Sequence, residues 1–328
     1  MAYSATALGA VGLSRVAVRL PGREESVADV VARAGYDERE ARMFKALGLR
    51  TVLSLADGER TEDLLFDAGH AALGGRSAAL VLYGHTLLTR RIDLCDGAFR
   101  ESLRDKLALR DAPVYGLSHV NCVAGLRSIE FARRFLARRG GTTDDRVLVL
   151  AGEQGSVFER ARVYPGRSVS GDGVAAVVVQ HPDAAERPRY RYLGGATSRD
   201  TRFYRNLRMT PAEFATNAEV IRAQTLEVVR RAADAAGVGL DGIDWLMPGL
   251  GNRMVWTSFC GRSGFPFERI CLDLLAERAH NFGADALMGL EHAERVGRLR
   301  AGDRCALVAT ARGAYFQSVV VEVLEDAL

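Results

Sequence analysis

The segment Ser118-His119-Val120-Asn121-Cys122-Val123-Ala124-Gly125 sets a cysteine where an apolar, strand-like stretch passes through small residues into a long helix. Over residues 121–138, Leu126, Ile129, Ala132 and Leu136 recur at helical spacing on one face. Arg127, Glu130, Arg133 and Arg134 fall on the other. A thiol in the first turn of that helix faces unpaired backbone N–H groups and the positive end of the macrodipole. Both favour the thiolate, which is the nucleophile. Cysteine is also a common small core residue, so position alone leaves two readings open, covalent catalyst and buried hydrophobe.

The elements that must hold this thiol alternate along the chain as in an α/β protein. Apolar runs at 79–83, 147–151 and 175–179 predict buried strands, and helical patterns fit 61–72, 97–109 and 121–138. A first half ends near Gln180, and the polar Pro/Ala/Arg stretch 182–188 reads as a crossover. The second half predicts a long helix over 211–236, opened by Pro211 and closed by Gly237. A strand at 245–247, helices at 266–279 and 284–296, and strands at 306–310 and 318–324 follow. Segments 153–168 and 190–209 read as the loops that shape a pocket. The chain divides into 1–180, carrying the cysteine, and 181–328.

Composition narrows the class. The chain has 328 residues, 48% hydrophobic and 26% charged, enough for a large core and two domain-sized units. The first twenty residues lack a basic start and a sustained apolar core, and no run of 18 apolar residues follows. A cytoplasmic protein with no membrane partner is expected. Five widely spaced cysteines (Cys95, Cys122, Cys260, Cys271, Cys305) with no Cys-x-x-Cys pair argue against a disulfide framework and a zinc cage, so no metal is expected. A net charge of +3 is too small to point to nucleic acid, although Lys45 and Lys106 are the only lysines and the remaining cations are arginine.

Four spaced motifs fit one family. They are the strand-to-Cys122-to-helix segment, the Gly171-Asp172-Gly173 turn entering an apolar run, Asp244-Trp245-Leu246-Met247-Pro248-Gly249-Leu250-Gly251-Asn252, and Thr310-Ala311-Arg312-Gly313-Ala314 before the last strand. Over essentially its whole length the chain resembles the type III ketosynthases of the thiolase superfamily, the beta-ketoacyl-acyl-carrier-protein synthase III group. The resemblance implies an α/β, five-layered αβαβα fold made of two similar halves, and a homodimer. It also implies Cys122 as nucleophile, with an oxyanion held between the backbone N–H groups of Cys122 and Gly313.

The departures from that family carry the functional expectation. Condensing relatives pair the cysteine with a histidine from Pro-His-Gln-Ala-Asn and an asparagine from a later Gly-Asn, which together hold an enolate. Here Gly249 occupies the histidine position and offers no side chain to donate or accept. In the later motif, Ala279-His280-Asn281-Phe282-Gly283-Ala284-Asp285, His280 takes the place of the asparagine. The set becomes Cys122, His280 and Asp285, suited to acyl transfer without decarboxylation: His280 moves the proton and Asp285 fixes its tautomer. This resembles the acyltransferase branch of ketosynthase-III-like proteins in natural-product, polyketide-type pathways. A further departure is Cys-Val-Ala-Gly where the family commonly has Cys-x-Gly.

The remaining expectations concern substrates. No cofactor is expected, and the donor is an acyl-phosphopantetheine or acyl-CoA thioester whose arm Asn252 and Gly249 would meet. Asn252 could equally cap a helix beginning near it. Arg202, Arg205, Arg208 and Arg253 suit the acidic surface and phosphodiester of an acyl carrier protein. A tryptophan and arginine pair for the adenine of coenzyme A has no counterpart, which favours the carrier-bound donor; the acceptor is a small molecule. His119, three residues before the nucleophile, is expected to point to the other face. Asp172 is expected to shape a turn. Two other functions stay open, a decarboxylating ketosynthase with His280 as the enolate partner and a non-catalytic subunit paired with an active homologue.

Overall fold

The computed structural model describes residues 2–4, 9–86, 97–140, 143–205 and 208–326, and Cys95 lies outside them. In chain order the strands of the first half are β1 (Ala2–Ser4), β2 (Gly12–Leu13), β3 (Ala17–Arg19), β4 (Arg23–Ser26), β5 (Thr51–Ser54), β6 (Leu80–Gly84), β7 (Val114–Leu117), β8 (Arg146–Gln154), β9 (Val163–Tyr164), β10 (Ser168–Val169) and β11 (Asp172–Gln180). The second half adds β12 (Tyr190–Arg199), β13 (Trp245–Met247), β14 (Arg304–Ala311) and β15 (Tyr315–Val323). The helices are α1 (Val27–Arg33), α2 (Glu38–Ala46), α3 (Thr61–Leu73), α4 (Ala98–Lys106), α5 (Ala124–Arg138), α6 (Glu159–Arg162), α7 (Pro211–Ala235), α8 (Arg253–Ser263), α9 (Leu275–Arg278) and α10 (Asp285–Arg295).

Among the described residues eleven strands join in one sheet, ordered β13-β14-β15-β12-β2-β11-β8-β6-β7, with β1 added to β12 and β3 to β11. Apart from β1, the strands of this sheet that precede residue 181 lie on one side of β2 and those after it on the other. Leu13 is the seam, paired with Val179 on one side and Tyr190 on the other. Strands β8 and β11 are buried along their whole length, which is why they read as unbroken apolar runs.

Helices α5 and α10 lie between the two halves of the sheet. Helix α5 touches β6, β8 and β11 on one side and β14 and β15 on the other, and α10 touches β3 and β11 as well as β13 and β14. Helices α3 and α4 cover the outer face of the first half, α7 and α8 that of the second. The result is the expected αβαβα arrangement. Leu126 and Ile129 of α5 are fully buried in the central core, each worth about 1.5–3 kcal/mol in transfer free energy. Among the described residues no helix is long and apolar enough to cross a membrane.

Two expectations are corrected. Residues 190–209 are not simply a loop, since β12 pairs with β15 over most of its length. Its Gly194-Gly195 pair serves close packing, for a Cβ on Gly194 would lie 2.6 Å from the backbone N of Ala236 at the end of α7. The helix expected at 266–279 is instead a single 3₁₀ turn at Phe267–Arg269 and the short α9. Between these, Cys271 N–H bonds Leu246 O at 2.9 Å, so the chain runs alongside β13 where the apolar spacing read as helical. The helix lies earlier, in α8, capped by Asn252 and closed by Gly264 at φ +74.

Candidate active site

Cys122 sits in a 3₁₀ turn, Asn121–Val123, which replaces the α-helical first turn that the spacing predicts and leads directly into α5. Asn121 has φ +49, a left-handed conformation that asparagine tolerates better than most residues. Its Nδ2 donates to Arg312 O at 3.2 Å, tying the nucleophile turn to the end of β14. Three glycines let backbones approach. A Cβ on Gly84 would lie 2.7 Å from Gly125 N, and one on Gly125 would lie 2.3 Å from Gly283 O. The start of α5 therefore meets the turn before α10 without side chains between them.

That contact brings Cys122, His280 and Asp285 together. His280 Nε2 lies 3.3 Å from Cys122 Sγ, and its Nδ1 lies 2.5 Å from Asp285 Oδ2. Because a carboxylate accepts, Nδ1 carries a proton and Nε2 faces the sulfur. The imidazole is clamped through its own backbone: His280 N–H donates to Val169 O at 3.0 Å, and Gly171 N–H donates to His280 O at 2.9 Å. Ala279 and Phe282, on either side, hold positive φ values of 50° and 53°, local strain of the kind that collects at functional sites. Asp285 is 2% exposed and also accepts Leu250 N–H and Asn281 N–H, each at 2.6 Å. These donors offset the cost of its buried charge. Burial pulls the His280 imidazole down, but Asp285 and Cys122 pull it up by more, so its pKa stands well above the usual histidine value.

Cys122 and His280 open onto a cavity of about 310 Å³, with Asp285 buried behind the imidazole. Gly249 and Asn252 line it, as do Tyr164, Arg167, Asn217 and Arg312. Gly249 leaves the space beside the triad open, for a Cβ there would stand 3.9 Å from Asp285 Oδ2. The Asn252 amide caps α8 at Val255 N–H and donates to Arg167 O. Asn281 points elsewhere, its Nδ2 donating to the carbonyls of Arg278 and Ala279.

Gly313, expected to help hold the oxyanion, directly follows the last residues that line the cavity. The wall ends at Ala311 and Arg312, and Gly313, at φ +83 with Tyr315 2.8 Å from where a Cβ would stand, makes the chain reversal before β15. Arg202, Arg205, Arg208 and Arg253 lie outside the wall. Arg202 pairs with Asp200, Arg205 reaches Glu213, and Arg253 covers the Phe267 ring, but Met209 and Asn252, next to two of these arginines, do line the cavity. His119 is exposed and lines the cavity, against expectation, because β7 ends at Leu117 and strand alternation does not extend to it. Asp172 does more than shape a turn, since its carboxylate accepts from Leu55 N–H, Ser156 N–H and the Ser156 hydroxyl. Among the described residues no group of three His, Cys, Asp or Glu side chains is arranged to hold a metal.

Comparison with known proteins agrees with this geometry at the level of fold and broad family. Residues 233–323 match the family described as 3-oxoacyl-[acyl-carrier-protein (ACP)] synthase III C terminal. The beta-ketoacyl-[acyl-carrier-protein] synthase III of Rhizorhabdus wittichii is 26% identical over 311 residues, 90% of this chain and 93% of that one. That of Paracoccus denitrificans is 26% identical over 284 residues, 81% and 85% of the two chains. Among solved structures, the acyltransferase ChlB3 superposes with a TM-score of 0.80 at 20% identity, over 97% of this chain and 99% of that one. The 3-oxoacyl-(acyl carrier protein) synthase III of Pseudomonas aeruginosa PAO1 superposes with a TM-score of 0.79 at 21% identity, over 97% and 100% of the chains. Xanthomonas campestris OleA with bound lauric acid and lauroyl-CoA gives 0.77 at 17% identity, over 96% and 99%. The chain is thus similar in sequence to beta-ketoacyl-[acyl-carrier-protein] synthases III and shares the fold of these solved structures.

Proposed function

We propose that this protein is an acyltransferase that loads an acyl group onto Cys122 from a carrier-bound thioester and passes it to a small-molecule acceptor without decarboxylation. The observation that carries this reading is the placement of His280 between Cys122 Sγ and Asp285 Oδ2, with Gly249 where condensing relatives have histidine. One imidazole backed by a carboxylate is a proton-transfer device. A paired enolate site needs two donors facing the substrate, and the Asn281 amide is occupied at Arg278 and Ala279.

In the first half-reaction the Cys122 thiolate attacks the thioester carbonyl, with His280 holding the proton. The tetrahedral oxyanion is met by the backbone N–H groups of Cys122 and Gly313, the pair that the family resemblance implies. Collapse breaks the bond to the donor sulfur, which takes the proton from His280 and leaves as a thiol. In the second half-reaction His280 removes the proton of an acceptor hydroxyl, amine or thiol as it attacks the acyl-enzyme, and returns it to Cys122. Asp285 keeps Nδ1 protonated and stabilises the imidazolium in both.

A carrier-protein donor is supported by what flanks the cavity. Neither tryptophan is placed to stack an adenine at the cavity, since Trp256 is 2% exposed with its Nε1 donating to Gly249 O, and Trp245 lies outside the cavity wall. Arg202, Arg205, Arg208 and Arg253 are exposed, Arg208 and Arg253 next in sequence to cavity-lining residues, and suit an acidic carrier surface. A natural-product pathway fits the acyltransferase role. A homodimer is supported by β7, which among the described residues is an end strand of the sheet and leaves Tyr115 58% exposed. The test of the reading is intact-protein mass spectrometry with a panel of acyl-carrier thioesters. The acyl mass is expected on wild type and not on Cys122→Ala, and carbon dioxide release from a malonyl thioester in step with product would overturn the assignment.

A further inference from the structure

We propose that the acyl group carried on Cys122 ends in a carboxylate, and that Arg312 is the residue that holds it. The inference rests on the acyltransferase reading and adds to it the chemical class of the donor.

Two guanidinium groups, Arg312 and Arg167, line the cavity, and among the described residues neither has an ion pair with a carboxylate. Arg312 lies 3.9 Å over the Tyr164 ring, and Arg167 lies 4.2 Å over Phe214, whose ring meets Tyr164 edge-on. The four side chains make one continuous wall, arginine, tyrosine, phenylalanine, arginine. Arg167 donates to Phe214 O at 3.1 Å and meets Asn217 Oδ1 at 3.5 Å, and both of its partners are neutral. The acidic groups within electrostatic reach of Arg312 are Tyr164, Cys122 and Tyr36, and none is a carboxylate. Arg312 and Arg167 are half-buried, and of the fully buried arginines Arg133 is matched with Glu130, Arg162 with Glu25 and Glu159, and Arg189 with Glu294, while Arg146 donates to Asp144 O. A guanidinium removed from water without an anion is costly, and a cavity is where a substrate can supply that anion.

Position favours the acyl group as its source. Arg312 is bound through its carbonyl to Asn121, the residue before the nucleophile, and its charge acts on the Cys122 sulfur. A carboxylate one or two carbons beyond the thioester carbonyl falls in that neighbourhood, whereas the phosphodiester of a pantetheine arm sits at the far end from the sulfur. Burial draws the Arg312 guanidinium below its ordinary value, yet it remains cationic near neutral pH.

The arrangement also explains how such an acyl group would survive. Loss of carbon dioxide moves the negative charge from the carboxylate to the thioester enolate. Arg312 stabilises the charge where it starts, and Gly249 provides nothing where it would arrive. In acylation the Cys122 sulfur bonds to the thioester carbonyl, the donor thiol leaves with the proton from His280, and the terminal carboxylate is unchanged.

The test uses a pair of thiol probes and a pair of donors. Iodoacetate and iodoacetamide each alkylate a thiolate with loss of iodide and differ in carboxylate against amide, so their rate ratio at Cys122, followed by peptide mapping, reads the anion site without any acyl chemistry. Arg312→Gln is expected to lower the iodoacetate-to-iodoacetamide ratio by roughly 10- to 100-fold, the scale of a lost charge-assisted contact, while Arg312→Lys keeps most of it. In parallel, malonyl and acetyl pantetheine thioesters are compared for self-acylation, and wild type is expected to prefer the malonyl donor by a similar factor that Arg312→Gln erases. An unchanged alkylation ratio in a folded Arg312→Gln protein, or equal loading of both donors, overturns the inference. So does a carboxylate preference confined to the acceptor. If the alkylation ratio shifts but no thioester acylates Cys122, the acyltransferase reading fails and the anion site stands.

Discussion

Gly125 and Gly283 meet backbone to backbone, so closely that a Cβ on Gly125 would stand 2.3 Å from the Gly283 carbonyl oxygen. This one contact sets the start of α5 against the turn before α10 and thereby fixes Cys122 relative to His280 and Asp285. It also gives the Cys-Val-Ala-Gly spelling a structural meaning, since the glycine three residues after the thiol is the one that must lack a side chain. Gly125→Ala is expected to destabilise the fold by about 1–3 kcal/mol, the usual cost of overpacking. Because the relief must come from moving the 280–285 turn, acylation should fall by more than the loss of folded protein explains. Thermal melts paired with self-acylation rates on the folded fraction check this, and wild-type rates would show that the triad tolerates the shift.

In the proposed mechanism His280 and Asp285 divide the chemistry between them. His280→Ala should slow self-acylation and transfer alike, by roughly 10² to 10⁴, the contribution of general acid–base catalysis. Asp285→Asn should also impair transfer, because an amide offers the imidazole N–H a poorer partner and its NH₂ would have to face the Leu250 or Asn281 N–H that the carboxylate now accepts. Part of that effect will be on stability, so the melting temperature must be measured beside the rate. Full transfer activity in Asp285→Asn would reduce Asp285 to a structural cap at α10.

The raised pKa of His280 has a consequence for stability. The folded protein holds the imidazole proton more tightly than the unfolded chain does, so the gain is complete below the ordinary histidine value near 6.5. As pH rises from there through the higher folded value, the folded state binds more protons than the unfolded one and stability falls. The melting temperature of wild type relative to His280→Asn should therefore be highest in mild acid and decline into the alkaline range. A difference that grows with pH would mean that the imidazole is held neutral.

How far the sequence exposes all this depends on whether the signal is local. Cys122, His280 and Asp285 were legible because each lies in a short motif with fixed neighbours, and the buried strands β8 and β11 because burial on both faces leaves unbroken apolar runs. Strand β12 was hidden by Gly194-Gly195, whose role is close approach to α7, a tertiary fact with no local mark. The 266–279 segment kept helical spacing but was captured by pairing beside β13, where the Cys271 N–H to Leu246 bond outweighs propensity. Arg312 stood in a motif read for its glycine. Its position in the cavity wall follows from the reversal at Gly313 and Ala314, both at positive φ, which no pattern of residue types announces.

The last prediction concerns Gly249, where the departure from condensing relatives is sharpest. A Cβ at that position would meet Val308 O at 3.7 Å and Asp285 Oδ2 at 3.9 Å, ordinary contacts, so Gly249→His should fold. The new ring would reach toward the cavity that Gly249 lines and would compete with His280 for Asp285 Oδ2, which already serves Leu250 N–H. Transfer should therefore drop. Carbon dioxide release should not appear in its place, because an enolate needs a second donor beside the restored imidazole, and the Asn281 amide remains turned to the carbonyls of Arg278 and Ala279. Headspace carbon dioxide from a malonyl thioester, measured with wild type and Gly249→His side by side, decides the matter. Release by the variant alone would mean that one residue separates this protein from a condensing enzyme, and that His280 can serve as the enolate's second partner.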